Sequence, residues 1–286
     1  MRIKQIVFLG LSLLHFTASA QTIKALSFNI RYSNDKDGVN SWENRKQWAT
    51  DYVRLFDFDV IGFQEVQNDQ KVDLDILLPA YKSISTASDT NKPNGDYEAC
   101  SIYYNPKRLK CVSSGTFWLS ETPEKQSMNW DSLYNRVVTW GKFIDVRNKS
   151  VFYFFNTHLP HKSEPARMKS VKLLREMICK IATGNSNVIV TGDFNAHPNS
   201  EPYNAMLAKS SCLPLTDAKK AAKWIYAPDF TVNCFGTCDG ESGYIIDFLF
   251  VSSKIEIEKY VVLTERRKDI FISDHYPVFC EIKFIK

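Results

Sequence analysis

Carboxylates, carboxamides and histidines recur in this sequence at the ends of β-rich runs. Phe28-Asn29-Ile30 closes the first run, and Gly62-Phe63-Gln64-Glu65-Val66 closes the next. Phe155-Asn156-Thr157-His158-Leu159 and Gly192-Asp193-Phe194-Asn195 close two more. Asp247 follows Ile245-Ile246 and precedes Phe248-Leu249-Phe250, and Ser273-Asp274-His275 opens the last run. A single polar residue at such a position is ordinarily a turn former or helix cap. Glu65 is harder to dismiss, because an ionised carboxylate between Phe63 and Val66 needs a cation or strong donors nearby. Four histidines follow residue 20 (His158, His161, His197 and His275), and all lie in or beside these clusters. Carboxylates and amides without a Cys/His cluster suit a hard cation, Mg²⁺ or Mn²⁺, over zinc. With histidines added, the set matches what water attack on a phosphate ester requires. The cation neutralises phosphate charge, a carboxylate-held imidazole handles a proton, and amides hold the developing negative charge.

The elements that must position these groups are mostly strands. Apolar and β-branched runs cover 23–30, 60–65, 100–104, 112–118, 137–146, 151–158, 188–191, 245–251, 255–263 and 276–284. Several are nearly continuous, as strands covered on both faces should be. Two stretches carry helical spacing. Residues 42–56 follow Ser41 as N-cap and place Trp42, Ala49, Val53 and Phe56 on one face. Residues 165–181 start with Pro165 at the first helical position, align Val171, Leu174 and Ile178, and stop before Gly184. With no internal repeat and no Pro/Ser linker, one α/β domain over 21–286 is the simplest account. In such sheets strand-end residues converge on one rim, where sites form.

Composition bounds the partners. Of 286 residues, 44% are hydrophobic and 24% charged, the balance of a folded domain and not of a disordered chain. A formal charge of +4 lacks the basic excess of a dedicated nucleic-acid or anionic-membrane binder. Residues 1–20 read as a signal peptide: Arg2 and Lys4, an apolar stretch over 6–16, then Ala18-Ser19-Ala20, with cleavage expected after Ala20. A buried N-terminal helix is the alternative, and the basic start without an acidic residue favours export. Gln21 at the cut, not Cys, argues against a lipoprotein anchor. Losing Arg2 and Lys4 narrows the charge to +2. The apolar stretch is too short to cross ~30 Å of hydrocarbon at ~1.5 Å per residue. A secreted or periplasmic protein without stable membrane insertion is expected. Seven cysteines leave at least one thiol free. Cys234-x3-Cys238 has no second Cys/His pair at zinc-finger spacing, which argues against structural zinc. Cys100 and Cys111 are candidates to face each other on neighbouring strands.

The motifs, in this order, resemble the endonuclease/exonuclease/phosphatase superfamily, from Ser27-Phe28-Asn29 to Ser273-Asp274-His275. Trp42-Glu43-Asn44-Arg45-Lys46 and the stretch from Gly115 to Pro123 are similar to its secreted bacterial members. The resemblance implies a four-layer α/β sandwich, two mixed β-sheets face to face with helices outside. It implies Glu65 as principal metal ligand, with Asn29 and Asp193 close by and Asp274 a second acidic group near the metal. His275 resembles the histidine that orients or activates the attacking water, with Asp247 its carboxylate partner. Asn195 and His158 resemble phosphate-oxygen binders, Glu98 a glutamate pairing with the first histidine, and Arg136 a phosphate-contacting arginine. Two departures stand out. Leu159-Pro160-His161 occupies a stretch where the nearest group has Asp after the histidine-leucine pair, and Asp96 competes with Glu98 for its alignment. His161 and Arg167 are further candidates for a substrate phosphate, although Arg167 also reads as a solvated helix residue. Trp42 is either a stacking platform or core, and His197 reads as a loop residue.

These readings favour a Mg²⁺- or Mn²⁺-dependent phosphoesterase, with phosphodiester hydrolysis first and nucleic acid among the candidate substrates. Phosphomonoester, inositol-phosphate or phospholipid hydrolysis on the same site comes second. The reading from another class is a non-catalytic exported binding protein on this scaffold. Retention of the whole set Asn29, Glu65, His158, Asp193, Asn195, Asp247, Asp274 and His275 argues against it. No protein partner is implied.

Overall fold

The computed structural model describes residues 22–92, 97–209, 212–238 and 244–285. The signal-peptide reading of residues 1–20 and the Asp96 alternative therefore fall outside the described residues. In chain order the elements begin with β1 (Ile23–Asn29), α1 (Trp42–Phe56), β2 (Val60–Val66), α2 (Asn68–Leu77), β3 (Lys82–Ile84), β4 (Ala99–Tyr104) and β5 (Leu109–Trp118). There follow β6 (Val137–Asp145), β7 (Val151–His158), α3 (Glu164–Ile181), β8 (Asn187–Asp193), α4 (Glu201–Leu207), β9 (Leu215–Asp217), α5 (Ala218–Ala221) and β10 (Ala222–Tyr226). The chain ends with β11 (Asp247–Ser252), β12 (Ile255–Val262), the short pair β13 (Arg266–Arg267) and β14 (Ile270–Phe271), and β15 (Val278–Phe284).

Two large mixed sheets result. One runs β10-β12-β15-β1-β2-β4-β3 and the other β5-β6-β7-β8-β11-β9. The two helices expected from sequence bridge parallel neighbours: α1 joins β1 to β2, and α3 joins β7 to β8. A parallel pair needs such a crossover, whereas antiparallel pairs do not. Trp42, Ala49 and Val53 of α1 pack with Leu74 of α2 and with Leu26, Phe28, Ile61 and Phe63 on the outer face of the first sheet. Val171, Leu174 and Ile178 of α3 and Tyr203 and Met206 of α4 cover Tyr153, Phe155, Val188 and Val190 of the second. This is the four-layer sandwich that the resemblance implies.

The layer between the sheets is graded along the strands. Side chains alternate with period two, so one set on each strand faces the opposite sheet. On β1 that set reads Ile23, Ala25, Ser27, Asn29, and on β7 Phe152, Phe154, Asn156, His158. On β8 it reads Ile189, Thr191, Asp193. Each strand starts in an apolar core shared by both sheets and ends on a polar residue at the same rim. Between the two zones lies a buried polar stitch. Asn156 Nδ2 donates to the Phe63 carbonyl at 2.8 Å and the Ser101 carbonyl at 3.0 Å, and Gln64 Nε2 donates to Asn156 Oδ1 at 2.7 Å. Gly62 permits it: a Cβ there would lie 2.4 Å from Thr191 Oγ1 and 2.5 Å from Asn156 Oδ1.

Several expectations change. The helix expected from Pro165 begins one residue earlier, because Ser163 Oγ accepts the Ala166 N–H at 3.2 Å and so caps Glu164. Trp42 is core and not a stacking platform: it is buried, and its Nε1 donates to Asp73 at 2.8 Å. Cys100 and Cys111 do not face each other, since β4 and β5 belong to different sheets and both thiols are free. The disulfides are Cys179–Cys212, tying the end of α3 to the loop after α4, and Cys234–Cys238. α2 and α4 lacked a clear apolar stripe in the sequence.

Candidate active site

The polar rim closes around a cleft of about 500 Å³ lined by Glu65, Glu98, Arg136, His158, His161, Asp193, Asn195, Asp274 and His275. Strand ends place them. Register pairs Asn29 of β1 with Gln64 of β2, His158 of β7 with Asp193 of β8, and Asp193 with Asp247 of β11. Glu65 adopts a left-handed backbone (φ 63°) where β2 shifts register against β4 between Phe63 and Val66. Asn195 does the same just beyond β8 (φ 47°). Non-glycine residues avoid this conformation at a cost of ~1–3 kcal/mol, and such strain collects at functional sites.

At the base of the cleft Asn29 joins two carboxylates. Its Nδ2 donates to Glu65 Oε1 at 2.9 Å and Asp193 Oδ2 at 3.1 Å, while Glu65 Oε2 accepts the Tyr32 N–H at 2.9 Å. Asp193 Oδ1 accepts the Asn195 N–H at 2.9 Å. Glu65 is 8% exposed and Asp193 2%. Burial first, then Glu98 and Asp274, push the Glu65 carboxyl up to about 7. Burial and then Asp247 push Asp193 up to about 7. Among the described residues, no lysine or arginine forms an ion pair with either. Two buried carboxylates sharing one amide and without a lysine or arginine partner fit a hard divalent ion. Ligand atoms of Glu65, His158 and Asp193 lie within 4.8 Å of one another, as do those of Asp193, Asp247 and His275.

The two site histidines are in opposite states. His275 Nδ1 meets Asp247 Oδ2 at 2.9 Å, leaving Nε2 toward the cleft, 3.8 Å from Asp193 Oδ2. Burial alone would lower its pKa, but Asp247, Asp193 and Asp274 outweigh this and raise it well above the ordinary value. Its main chain is held by a bridge to Val232, and the Ile246 and Asp247 N–H groups donate to Thr231 Oγ1. His158 is lowered well below the ordinary value, by burial and then by Arg136, so its ring is neutral. Its Nε2 lies 3.0 Å from Asn195 Nδ2, which also donates to the Leu159 carbonyl. His158 Nδ1 lies 3.7 Å from Glu98 Oε2, beyond hydrogen-bond length. Glu98 bonds instead to Arg136 Nη1 at 2.6 Å. The glutamate thus holds the arginine first and the histidine only across a gap.

Two expected contributors sit differently. Asp274 lines the cleft, but its Oδ2 faces Arg31 at 3.6 Å and it stands apart from the grouped ligands. Arg167 does not line this cleft: its Nη1 donates to the Pro160 and His161 carbonyls at 3.1 and 3.0 Å. His161 does line it, stacked on Tyr134 at 5.8 Å. Residues not anticipated from sequence are Arg31, Lys92 and Tyr134 on the cleft wall, and Arg45 behind it. Arg45 is fully buried, donating to the carbonyls of Asn40 at 2.6 Å, Ile30 at 2.7 Å and Ile272 at 3.0 Å. It clamps the turn after Asn29 to the segment before Ser273. The motif around Trp42 carried that signal, since a buried arginine on a helix needs such acceptors.

Comparison with known proteins agrees with this arrangement. Residues 26–275 match the model of the Endonuclease/Exonuclease/phosphatase family. An endonuclease/exonuclease/phosphatase structure from Bacteroides vulgatus superposes with TM-score 0.87 and 31% identity, covering 92% of this chain and 99% of that one. A mannosyl-6-phosphatase from Bacteroides thetaiotaomicron gives TM-score 0.84 and 32% identity over 92% of this chain and 100% of its own. The catalytic domain of human Nocturnin, with bound sulfate, shares the fold at 21% identity and TM-score 0.71, over 92% of this chain and 93% of that one.

Proposed function

The chain belongs to the endonuclease/exonuclease/phosphatase family of phosphate-ester hydrolases, and from that premise we propose that it removes a terminal phosphate from a small polar molecule such as a sugar, using Mg²⁺ (or Mn²⁺). The observation that carries this reading is the cleft of about 500 Å³, lined together by the buried carboxylates of Glu65 and Asp193 and by Arg136. That volume falls within the ~300–1,000 Å³ of small-molecule pockets. The formal charge of +4 lacks the basic excess of a dedicated nucleic-acid binder. Similarity to a mannosyl-6-phosphatase supports the sugar side of the proposal. The proposal places monoester before diester, the opposite order to the one expected from sequence.

Glu65 and Asp193, aided by Asn29, would hold the cation. Bound there, it would supply positive charge for the phosphoryl oxygens and permit both carboxylates to ionise. The remaining roles fall to the chain. Arg136, oriented by Glu98, lines the cleft where equatorial oxygens would accumulate charge, while Asn195 Nδ2, committed to His158 Nε2 and the Leu159 carbonyl, shapes the rim beside it. His275, its Nδ1 proton held by Asp247, presents Nε2–H as a charged donor to the phosphoryl group. Held ionised by the cation, Asp193 would accept a hydrogen bond from the attacking water and so help to orient it. Neutral His158 orders Asn195 and separates Asp193 from Glu98.

The signal-peptide pattern of residues 1–20 and the two disulfides support export to an oxidising compartment. The test is a panel with Mg²⁺: hexose 6-phosphates, p-nitrophenyl phosphate, bis-p-nitrophenyl phosphate, and single- and double-stranded DNA. Highest kcat/KM on a sugar phosphate, abolished by chelator, is expected. Preference for the diester or for DNA would return the phosphodiesterase reading to first place.

A further inference from the structure

A second cavity, of about 320 Å³, adjoins the catalytic cleft, and His161 and Asn195 line both. Its walls include Glu164, His197, Ser200 and Tyr244. We infer that this cavity binds the neutral, polyhydroxylated ring of a substrate whose phosphate occupies the first cleft. The inference rests on the phosphomonoesterase reading and names the substrate body that reading leaves open.

The walls are polar without being cationic. The one arginine among them, Arg167, has its Nη1 committed to the Pro160 and His161 carbonyls, and Glu164 offsets its charge. A second phosphate would meet a single guanidinium, already partly committed and set beside the carboxylate of Glu164. Hydroxyl groups need partners that donate and accept at short range, and a neutral imidazole does both. Burial and then Arg136 lower the pKa of His161, which keeps its ring in that form. Tyr244 adds an aromatic face: it is 43% exposed, and His197 meets its ring at 4.8 Å and 65°. Its carbonyl accepts the Thr231 N–H at 2.7 Å, which anchors it beside the strand carrying Asp247. An aromatic face with polar groups around it suits the C–H face and hydroxyl rim of a pyranose. A volume near 320 Å³ has room for one ring and not for a chain of them. Asn195 and His161 stand at the junction, where the ester oxygen would connect ring to phosphate. The Leu159-Pro160-His161 stretch thereby acquires a purpose, with His161 as the partition between the two spaces.

The experiment compares kcat/KM for a methyl hexoside 6-phosphate with that for p-nitrophenyl phosphate, in wild type, Tyr244→Ala and Tyr244→Phe. The sugar-to-phenyl ratio is expected to fall roughly tenfold in Tyr244→Ala, mainly through KM, and to be restored by Tyr244→Phe, which keeps the ring. An unchanged ratio in Tyr244→Ala, with a wild type active on the sugar phosphate, overturns the second site and leaves the phosphatase reading intact. A wild type inactive on every sugar phosphate overturns that reading itself. Preference for nucleoside 5′-monophosphates, lost in Tyr244→Ala, would overturn the sugar assignment alone.

Discussion

At one end of the space between the sheets lie Ile23, Phe152 and Ile189, and at the other, on the same three strands, lie Asn29, His158 and Asp193. The first end is dry and aromatic: Phe143 stacks on Phe152 at 5.5 Å, and Phe152 on Phe284 at 5.2 Å. The second holds carboxylates raised to about 7 and left-handed backbone at Glu65 and Asn195. One end stabilises the fold and the other costs stability to hold a reactive arrangement. Neither end is separable from the other, because each strand spans both.

The comparison breaks or holds on paired substitutions. Glu65→Gln is expected to lower kcat/KM by about a thousandfold or more, since a buried ligand carboxylate is lost. Its metal-free stability should move by no more than ~1 kcal/mol, because the amide retains shape and removes a costly buried charge. Phe154→Ala, at the dry end, should destabilise by ~3–5 kcal/mol through cavity formation. Its kcat should stay near wild type wherever the protein remains folded. Urea melts and steady-state rates on the two variants check this. Equal destabilisation by both would show that the polar end bears as much of the fold as the apolar end.

Arg45 sharpens the boundary, for it belongs to neither end and connects the site to α1. Arg45→Met should leave the carbonyls of Ile30, Asn40 and Ile272 unpaired, at a cost of roughly 2–4 kcal/mol. The neighbours of those carbonyls are Asn29 and Ser273, so kcat should also fall, by about tenfold, more than KM changes. A circular-dichroism melt with kinetics at low temperature separates the two effects. A variant with lowered Tm but wild-type kcat would make Arg45 a structural residue only.

Much of this was legible in the sequence because strand periodicity and burial leave direct marks. Glu65 stood out between Phe63 and Val66, and α1 carried its apolar spacing to the residue. What was not legible depended on contacts between distant segments. Arg167 looked free on a helix, yet the loop before that helix folds back and takes its guanidinium. Trp42 looked able to stack on a ligand, yet Asp73 of α2, an unanticipated helix, receives its indole N–H. Glu98 was assigned to a histidine, but Arg136, thirty-eight positions later, reaches it first. Cysteine pairing likewise depended on which sheet each strand joined.

The smallest expected effect is also the most direct reading of the polar end. Glu65 and Asp193 have pKa values near 7 in the folded protein, against ordinary values of 4.5 and 3.8. Between those limits the folded state binds more protons than the unfolded state, so metal-free stability should fall as pH rises from ~4 to ~7. Each unit of pH across that window is worth at most ~1.4 kcal/mol per site. His275, raised well above the ordinary value, acts in the same direction: its contribution is complete below the unfolded pKa and is lost as pH rises through the folded one. A divalent cation selects the ionised carboxylates, so it should reverse the trend. The Tm increase on adding Mg²⁺ should be small near about pH 5 and several degrees near about pH 8. Scanning calorimetry with Mg²⁺ and with chelator at both pH values measures it. A Mg²⁺ shift equal at both would mean that the cation binds exposed carboxylates and not the buried pair, and in Glu65→Gln the pH-dependent part should shrink to what Asp193 leaves.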